Sequence, residues 1–583
     1  MLRRLFRWLV RLVVLAITLF VIAAISDYYS HRVEPGTVLL LKVDGPVEER
    51  GATGLVGMLS SDNGTPLNIV RKALNDGATD PRIVGLAVEV IDPDMELAQA
   101  QELCAMIHQF ASHGKWTTAY METAGDFGPG NLPYLVAAST GSIAMMPQGE
   151  LSLVGVSLRE MFARGTFDMI GVKPDFYAIG KYKTAANIFT EKDFTPEQHE
   201  DDDQLIGNIF DQIVAQAAQL RHLTPNAVKS IVDTAPLSAQ DGIKSHLVDT
   251  LEFEDQFSDA VKNRGKEDHD LLDYDDYERP RLIRSNRGAD KIAVIYGDGA
   301  IQRGAGGYDP VLSPGGSAMG SDDIVKAFQD ARDDDGVQAV VFRINSPGGD
   351  VIASELIRRQ VELTADEKPV VVSMSGYAAS GGYWVAMPAD KIFAEPGTIT
   401  GSIGVLGGKF NVTGLTQKIG VNTGVVSRGA NVEMFDAFTD FTPAQQKIFN
   451  DQILGQTYQY FLKIVAQSRH LTVAQVDSVA QGRVWTGAEA VKIKLIDQLG
   501  GLDEAIAEAK QLAKISPDEQ VQLVELPEQP GLIQQILSGG LMGRATQQPA
   551  VMRMLSPIIR VMRDAVARHA ALGQAYCPLR PVM

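Results

Sequence analysis

The chain is short of cysteine, of positive charge and of histidine in its second half. Its two cysteines, Cys104 and Cys577, lie far apart in 583 residues, a spacing that indicates neither a disulfide framework nor a metal-ligand cluster. The formal net charge of −19 argues against nucleic acid as a partner, because phosphate binding needs a basic surface. We expect neither a metal nor a cofactor.

Long apolar runs are also scarce, and the one run of spanning length lies near the N-terminus. From Trp8 to Ile25 it covers 18 residues, about 27 Å as a helix, which is enough to cross most of a bilayer. Arg3, Arg4 and Arg7 precede the run, Arg11 interrupts it near its N-terminal end and Asp27 follows it. The positive-inside rule therefore keeps the N-terminus cytoplasmic and exports the rest. We predict that residues 1–36 are a single-pass anchor, because residues 23–26 make a poor site for signal-peptide cleavage.

Three short segments occur twice in nearly constant register. Arg-His-Leu-Thr begins at residues 221 and 469, Phe-Thr-Pro at 194 and 441, and Tyr-x-Val-Ala at 134 and 383, at offsets of 248, 247 and 249. This register predicts two copies of one domain. We assign residues 37–266 and 290–515 to the copies, the polar residues 267–289 to a linker, and residues 516–583 to a C-terminal tail.

Within each copy, short apolar runs alternate with segments of helical spacing. In the second copy, Ala339–Ile344 and Val370–Met374 have strand propensity, and Ser354–Leu363 between them has apolar residues on one side of a helix. Strand–helix alternation with continuously apolar strands predicts an α/β fold.

Two segments of the second copy carry chemistry that acyl transfer needs. Asn345–Asp350 contains Gly348 and Gly349 in a turn that opens a helix, where main-chain N–H groups can stabilise an oxyanion; the alternative is an ordinary Pro-Gly-Gly turn. Gly376–Trp384 presents Ser380 among alanines and glycines just after a strand, which suits an exposed nucleophile. The alternative for Ser380 is a helix N-cap. A third segment, Thr400–Gly404, either orients a base or is a tight turn.

A serine nucleophile needs a base, and histidine is a poor candidate in the second copy. His470 belongs to the duplicated Arg-His-Leu-Thr segment after a helix, so a structural role at a helix end is the better interpretation. A lysine serves as a base only when neutral, and burial favours the neutral amine. The segment Tyr177–Asn187 offers Lys181 and Lys183 as candidates. The residues alone leave both open, and most lysines are solvated.

Together these segments resemble the long form of the signal peptide peptidase A (protease IV) family, over roughly residues 1–515. The motifs that carry the resemblance are Ser346-Pro347-Gly348-Gly349, Ala378-Ala379-Ser380-Gly381-Gly382-Tyr383-Trp384, Thr400-Gly401-Ser402-Ile403-Gly404 and Tyr182-Lys183-Thr184-Ala185. The resemblance implies two tandem ββα superhelix domains like those of crotonase and the caseinolytic peptidase ClpP. It implies a homotetrameric serine peptidase of the bacterial inner membrane, with its body on the exported side, that degrades remnant signal peptides and similar apolar peptides.

Residue by residue, the resemblance implies that Ser380 is the nucleophile and Lys183 the general base. It implies that Ser402 orients the lysine, and that Gly348, Gly349 and Gly381 are candidate oxyanion or substrate-binding residues. One departure concerns residues 187–189, Asn-Ile-Phe, where the family commonly has a Glu-Pro-Phe-like stretch.

The two copies are complementary in what they retain. Ser380 aligns near Gly130, and Lys183 aligns near Val432, so neither copy holds both groups. The site is therefore expected to form between copies, within one chain or between neighbouring chains. Two alternatives remain: an acyl-CoA-binding crotonase-like enzyme, which an export anchor disfavours because CoA is cytosolic, and a non-catalytic membrane scaffold.

Overall fold

The computed structural model describes residues 33–51, 64–126, 128–266, 268–278, 290–308 and 317–528. The predicted anchor at residues 8–25 and the tail beyond residue 528 lie outside these ranges. Over the part of the chain that is described, no helix has the length and apolar character needed to span a bilayer.

The described residues form strands and helices in alternation. The strands are β1 Thr37–Glu48, β2 Thr65–Pro66, β3 Ile83–Asp94, β4 Trp116–Met121, β5 Ile143–Met145, β6 Glu150–Leu151, β7 Lys173–Ile179, β8 Leu237–Ser238, β9 Thr250–Leu251, β10 Leu271–Asp273, β11 Lys291–Asp298, β12 Ala300–Gln302, β13 Gly307–Tyr308, β14 Ser317–Gly320, β15 Val337–Ser346, β16 Val370–Ala379, β17 Lys391–Ala394, β18 Ile399–Gly401, β19 Val405–Asn411, β20 Val484–Thr486, β21 Gln498–Leu499 and β22 Gln522–Leu526.

The helices are α1 Leu67–Thr79, α2 Leu97–Ser112, α3 Asn131–Ala138, α4 Arg164–Ile170, α5 Asn187–Thr190, α6 Pro196–Leu220, α7 Pro225–Val232, α8 Ala239–Lys244, α9 Glu254–Lys262, α10 Tyr274–Glu278, α11 Ser321–Asp333, α12 Val351–Ala365, α13 Gly381–Ala386, α14 Thr413–Lys418, α15 Pro443–Lys447, α16 Gly455–Ser468, α17 Val473–Val479, α18 Gly487–Ala490 and α19 Leu502–Leu512. A 3₁₀ turn covers Arg264–Lys266 and a π-helical turn covers Ile448–Leu454.

Two largely parallel sheets organise these elements. The first has the order β10-β1-β3-β4-β5-β9, with β2 on β1. The second has the order β20-β18-β16-β15-β11-β22, with β17 on β16 and β21 on β17. Strands such as β16 are buried along their whole length, which explains their continuous apolar sequence. The prediction of an α/β fold with apolar parallel strands is confirmed.

The two sheets repeat each other in detail. Val38 pairs with Gly85 in the first sheet and Ile292 pairs with Ala339 in the second, each just after a shift in register. The tyrosine of each Tyr-x-Val-Ala segment donates its hydroxyl to a backbone carbonyl, Tyr134 to Leu247 at 3.0 Å and Tyr383 to Leu495 at 2.7 Å. The part of the chain that follows the first sheet therefore rebuilds the same architecture.

Each sheet is completed by a strand that lies beyond the copy boundaries assigned from the sequence. Residues 271–278, assigned to the linker, form β10, which pairs with β1, and α10. Residues 522–526, assigned to the tail, form β22, which pairs with β11 in the same way. Edge strands of three to five residues carry too little apolar sequence to stand out from polar surroundings, which is why composition places both outside the copies.

The Arg-His-Leu-Thr segments end corresponding helices. Arg221 binds Asp249 at 2.7 Å and Arg469 binds Asp497 at 2.9 Å. His470 follows with a left-handed φ of 53°, and the next amide closes the helix end. The structural role predicted for His470 is confirmed.

A short antiparallel ladder joins the two parts of the chain that carry the two sheets, which we call the first and second domains. β7 of the first domain pairs with β19 of the second over seven residues, from Lys173 opposite Asn411 to Ile179 opposite Val405. This ladder ends three residues after Ser402 and four residues before Lys183. It therefore brings the lysine-bearing segment of one domain against the serine-bearing strands of the other.

Candidate active site

Ser380 occupies the turn between strand β16 and helix α13. Its backbone has φ 53° and ψ −114°, a conformation that residues other than glycine seldom adopt. Its N–H donates to the Gly401 carbonyl at 2.9 Å, which ties the turn to β18. Ser380 stands at the N-cap position, but its side chain makes no capping hydrogen bond. The hydroxyl is thus held in place without being used by the helix.

The residue after Ser380 has no room for a side chain. A Cβ on Gly381 would lie 2.7 Å from the Ser354 hydroxyl and 3.1 Å from the Gly349 nitrogen. The small residues that the sequence shows around Ser380 therefore let the Gly348–Gly349 turn approach the serine turn closely.

Lys183 reaches Ser380 from the other domain. Its Nζ lies 3.0 Å from Ser380 Oγ, 2.9 Å from Ser402 Oγ and 3.0 Å from the Ser402 carbonyl oxygen. The residue is only 6% exposed. The structure thus brings together the three side chains that the resemblance singles out, and it does so within one chain.

Lys181 lies elsewhere. Its side chain is exposed and its ammonium sits 4.4 Å from the centre of the Tyr182 ring. A hydrogen bond with Tyr182 raises the pKa of Lys181 above its usual value. Of the two lysines left open by the residues, only Lys183 is directed to Ser380.

A loop that sequence reasoning missed supports the lysine. The Tyr182 N–H donates to the Gln481 carbonyl at 2.8 Å. Gly482 has φ +81°, and a Cβ there would lie 2.4 Å from the Lys183 nitrogen. The signal available in the sequence was a lone glycine beyond α17, which could not be distinguished from an ordinary turn.

Ser402 is fixed by the same loop. It is buried, has a left-handed φ of 50°, and donates its N–H to the Arg483 carbonyl at 2.8 Å. Thr400 in the same segment donates its hydroxyl to the Ala378 carbonyl at 2.7 Å. The Thr400–Gly404 segment is therefore a tight turn, and it places the Ser402 hydroxyl against Lys183 Nζ.

The three candidate oxyanion glycines differ in what their N–H groups do. The Gly348 N–H donates to Ser346 Oγ at 3.2 Å. Within the described ranges, the N–H groups of Gly349 and Gly381 have no acceptor. Both of these glycines line the cleft at Ser380, whereas Gly348 does not. Of the three glycines, Gly349 and Gly381 are thus the better candidates for oxyanion donors.

A cleft opens over Ser380. Its lining consists of Lys183, Gly349, Val351, Ser354, Ser380, Gly381, Trp384, Gly404, Val405, Leu406 and Phe461. Apolar side chains around a few convergent polar groups are typical of a binding site for an apolar group. A hydroxyl, a buried amine and two free N–H donors at its base are the parts that a serine peptidase requires.

Comparison with known proteins identifies the family. The profile of peptidase family S49 matches residues 110–267 and 362–516, one segment in each domain. The chloroplastic serine protease SPPA of Arabidopsis thaliana is 31% identical over 521 residues, 88% of this chain and 74% of that protein. Protease 4 of Salmonella typhi is 31% identical over 504 residues, which cover 82% and 78% of the two chains. Protease 4 of Haemophilus influenzae is 30% identical over 472 residues, covering 77% and 73%.

The chain belongs to peptidase family S49. It is a serine peptidase of the SppA type, as the sequence motifs predicted.

Proposed function

We propose that this chain is a membrane-anchored endopeptidase that degrades remnant signal peptides and similar apolar peptides through a Ser380–Lys183 dyad. The observation that carries the proposal is the 3.0 Å contact between Lys183 Nζ and Ser380 Oγ, made by a buried lysine that Ser402 holds by two further hydrogen bonds.

The reaction begins with proton transfer from the serine. Burial disfavours a charged amine, so Lys183 is suited to accept the Ser380 proton while Oγ attacks the scissile carbonyl carbon. The tetrahedral intermediate places its negative oxygen toward the N–H groups of Gly349 and Gly381. Lys183 then gives the proton to the departing amine nitrogen, and the C–N bond breaks to leave an acyl-enzyme on Ser380.

Hydrolysis repeats these roles with water. Lys183 takes a proton from a water molecule as that water attacks the acyl carbonyl, and returns it to Ser380 Oγ when the ester bond breaks. Ser402 keeps Nζ aimed at the reacting oxygen through both halves. Lys183 acts as base and acid in turn, so no second titrating side chain is needed.

The cleft and the predicted anchor support the proposed substrate class. Trp384, Phe461, Val351 and Leu406 give the cleft an apolar wall that suits the small and aliphatic side chains of a signal-peptide core. The predicted anchor at residues 8–25 keeps the body at the outer face of the bacterial inner membrane, where such peptides remain. The proposal also includes assembly into a homotetramer, which rests on the family resemblance.

The test is Ser380→Ala in the full chain, assayed on a synthetic peptide with an apolar core. We expect hydrolysis to fall by about 10³-fold or more, with an unchanged circular dichroism spectrum and Tm. Ser478→Ala, at an exposed serine whose hydroxyl donates to the Gln475 carbonyl within its own helix, is the matched control and keeps full activity. If Ser380→Ala hydrolyses the peptide at the wild-type rate, Ser380 is not the nucleophile.

A further inference from the structure

Arg483, a residue of the second domain, binds two acids of the first domain directly behind the lysine segment. Its Nη2 lies 2.9 Å from Glu200 Oε1 and its Nε lies 3.2 Å from Asp201 Oδ1. Both acids are in the first turns of α6. The arginine and Asp201 are largely buried, so this pair is less screened by water than a surface pair.

The same guanidinium packs on Tyr182, the neighbour of Lys183. Its central carbon lies 4.4 Å from the centre of the Tyr182 ring. The Tyr182 hydroxyl donates to Glu200 Oε1 at 2.7 Å, so the arginine and the tyrosine share one carboxylate oxygen. Any shift of Arg483 therefore displaces the residue that precedes the lysine.

The main chain around Arg483 contacts both the Ser402 turn and the segment that holds Lys183. The Arg483 carbonyl accepts the Ser402 N–H at 2.8 Å, and the Gly482 N–H donates to the Ile403 carbonyl at 2.8 Å. One residue earlier, Gln481 accepts the Tyr182 N–H. Asp201 adds a bond to the residue that follows, since its Oδ2 accepts the Val484 N–H at 3.4 Å. The loop of residues 481–483 is thus bonded to the Lys183 segment and to the Ser402 turn.

We propose that Arg483 is a positioning residue for the reaction: its grip on Glu200, Asp201 and Tyr182 fixes the loop that sets Lys183 and Ser402 relative to Ser380. The inference rests on the proposed Ser380–Lys183 dyad. Arg483 touches none of the reacting atoms. Its effect comes through geometry, and a misplacement of about 1 Å in a catalytic group can cost roughly 10²-fold in rate.

The planar guanidinium explains why an arginine stands here. It meets two carboxylates along its edge while its face lies on an aromatic ring, a combination that lysine cannot reproduce. The titratable groups around the Arg483 guanidinium are Glu200, Asp201 and Lys181, and behind Asp201 lie Asp202 and Glu160. Losing the arginine removes a positive charge near Lys183 and admits water, and both changes favour the charged form of that amine.

The experiment measures peptide hydrolysis by full-length Arg483→Met across pH. We expect kcat to fall by about 10- to 100-fold with KM changed less than about threefold, and the acid limb of the kcat profile to move to higher pH. Arg483→Lys, which keeps the charge, recovers part of the rate. Arg71→Met, which breaks the interdomain pair of Arg71 with Asp503, is the matched control and leaves kcat and its pH profile unchanged.

Several outcomes overturn the inference. A wild-type kcat and pH profile in Arg483→Met overturns it, and so does a lower Tm without a change in kcat. If Arg483→Met does not fold, Glu200→Gln replaces it, because Glu200 is exposed; an unchanged kcat there, where about a two- to fivefold loss is expected, also overturns it. Ser380→Ala and Lys183→Ala are assayed in parallel. Activity in those two variants means that the dyad itself is wrong. If they are inactive and Arg483→Met is fully active, only the positioning role is wrong.

Discussion

Ser380 adopts a backbone conformation that costs of the order of 1–3 kcal/mol, and the surrounding structure compensates for that cost. The Ser380 N–H is bonded to Gly401, and Gly381 allows the Gly349 amide to come near. Strain of this kind persists only where neighbouring contacts determine the turn. In Ser380 it points the hydroxyl away from its own helix and toward Lys183.

The first prediction concerns Gly482. Gly482→Ala places a Cβ 2.4 Å from the Lys183 nitrogen at a φ of +81°, so the lysine segment must move. We expect kcat to fall by about 10-fold or more, because the shift is transmitted to Nζ. Gly420→Ala is the matched control: Gly420 has a φ of +75° and open space around it, so it carries the backbone penalty alone and keeps its activity. Equal rates in the two variants contradict the role given to the 481–483 loop.

At the scale of residues, the sequence predicted the serine, lysine and glycine segments because each has an unusual local composition. It left Lys181 and Lys183 open, because residues two apart share one face of an extended strand, so alternation cannot distinguish them. In the structure both lysines follow the end of β7, in a turn rather than a strand. The support from Gln481, Gly482 and Arg483 was not predictable, since these residues lie almost 300 positions from Lys183 and meet it only through the packing of the two domains.

At the scale of elements, the first turns of helix α6 carry acids that are buried beside the lysine segment. Burial, together with the charges of Glu160 and Asp201, raises the pKa of Asp202 to about 8. Burial likewise raises the pKa of Glu160 to about 7, against the hydrogen bond that Gln198 donates to it. The folded chain therefore holds protons near neutral pH that these groups would release on unfolding.

The second prediction is that stability falls as pH rises through this range. A carboxyl whose folded pKa lies above its unfolded value stabilises the fold fully below the unfolded pKa, and the contribution disappears as pH passes the folded pKa. We expect Tm to decrease from pH 6 to pH 9. Asp202→Asn removes much of this decrease and gains about 1 to 3 kcal/mol at pH 9.

The control for that prediction is the next residue. Asp203 is exposed, and Asp203→Asn leaves the pH dependence of Tm as in the wild type. Thermal unfolding at several pH values measures all three proteins. A wild-type pH slope in Asp202→Asn contradicts the assignment of a buried, protonated carboxyl.

Elements also show the limits of sequence patterns. The long apolar strands β15 and β16 and helix α12 were predicted from periodicity and composition. The edge strands β10 and β22 were not, because a strand at the margin of a sheet needs few apolar residues. The tertiary partner, rather than local propensity, decides whether such a segment becomes a strand.

At the scale of the whole molecule, a buried arginine joins the two domains. Arg343 of β15 is 1% exposed and binds Glu49 and Glu102 of the first domain, with Ser373 accepting a further hydrogen bond from it at 2.8 Å. The pair of carboxylates raises the pKa of Arg343 above its usual range against the opposing effect of burial. The two copies thus share a buried charge cluster in addition to the β7–β19 ladder.

The third prediction is that Arg343→Met strongly destabilises the fold. It leaves Glu49 and Glu102 buried without their counter-charge, and breaking such a pair costs about 3–5 kcal/mol. Chemical denaturation measures the loss in the free energy of unfolding. Arg359→Met, at an exposed ion pair within α12, changes it by less than about 1 kcal/mol. A loss no larger than that of Arg359→Met contradicts a coupling role for Arg343.

The two copies have diverged at their corresponding turns. Gly130 precedes α3 as Ser380 precedes α13, and a Cβ on Gly130 would lie 1.9 Å from the Ala124 carbonyl oxygen. No side chain fits where the other copy holds its serine. The sequence predicted this division of groups from alignment of the repeats, but only the packing of β7 on β19 shows that the lysine and the serine meet within one chain.

The most direct measurement is the rate at which a fluorophosphonate labels the full chain, with the adduct located by peptide mass spectrometry. The account predicts a single adduct on Ser380 in the wild type, and the same rate in Lys181→Ala. In Lys183→Ala we expect the labelling rate to fall by about 10²-fold or more, because the serine then lacks its base. An adduct on another residue, or labelling of Lys183→Ala at the wild-type rate, would contradict the account.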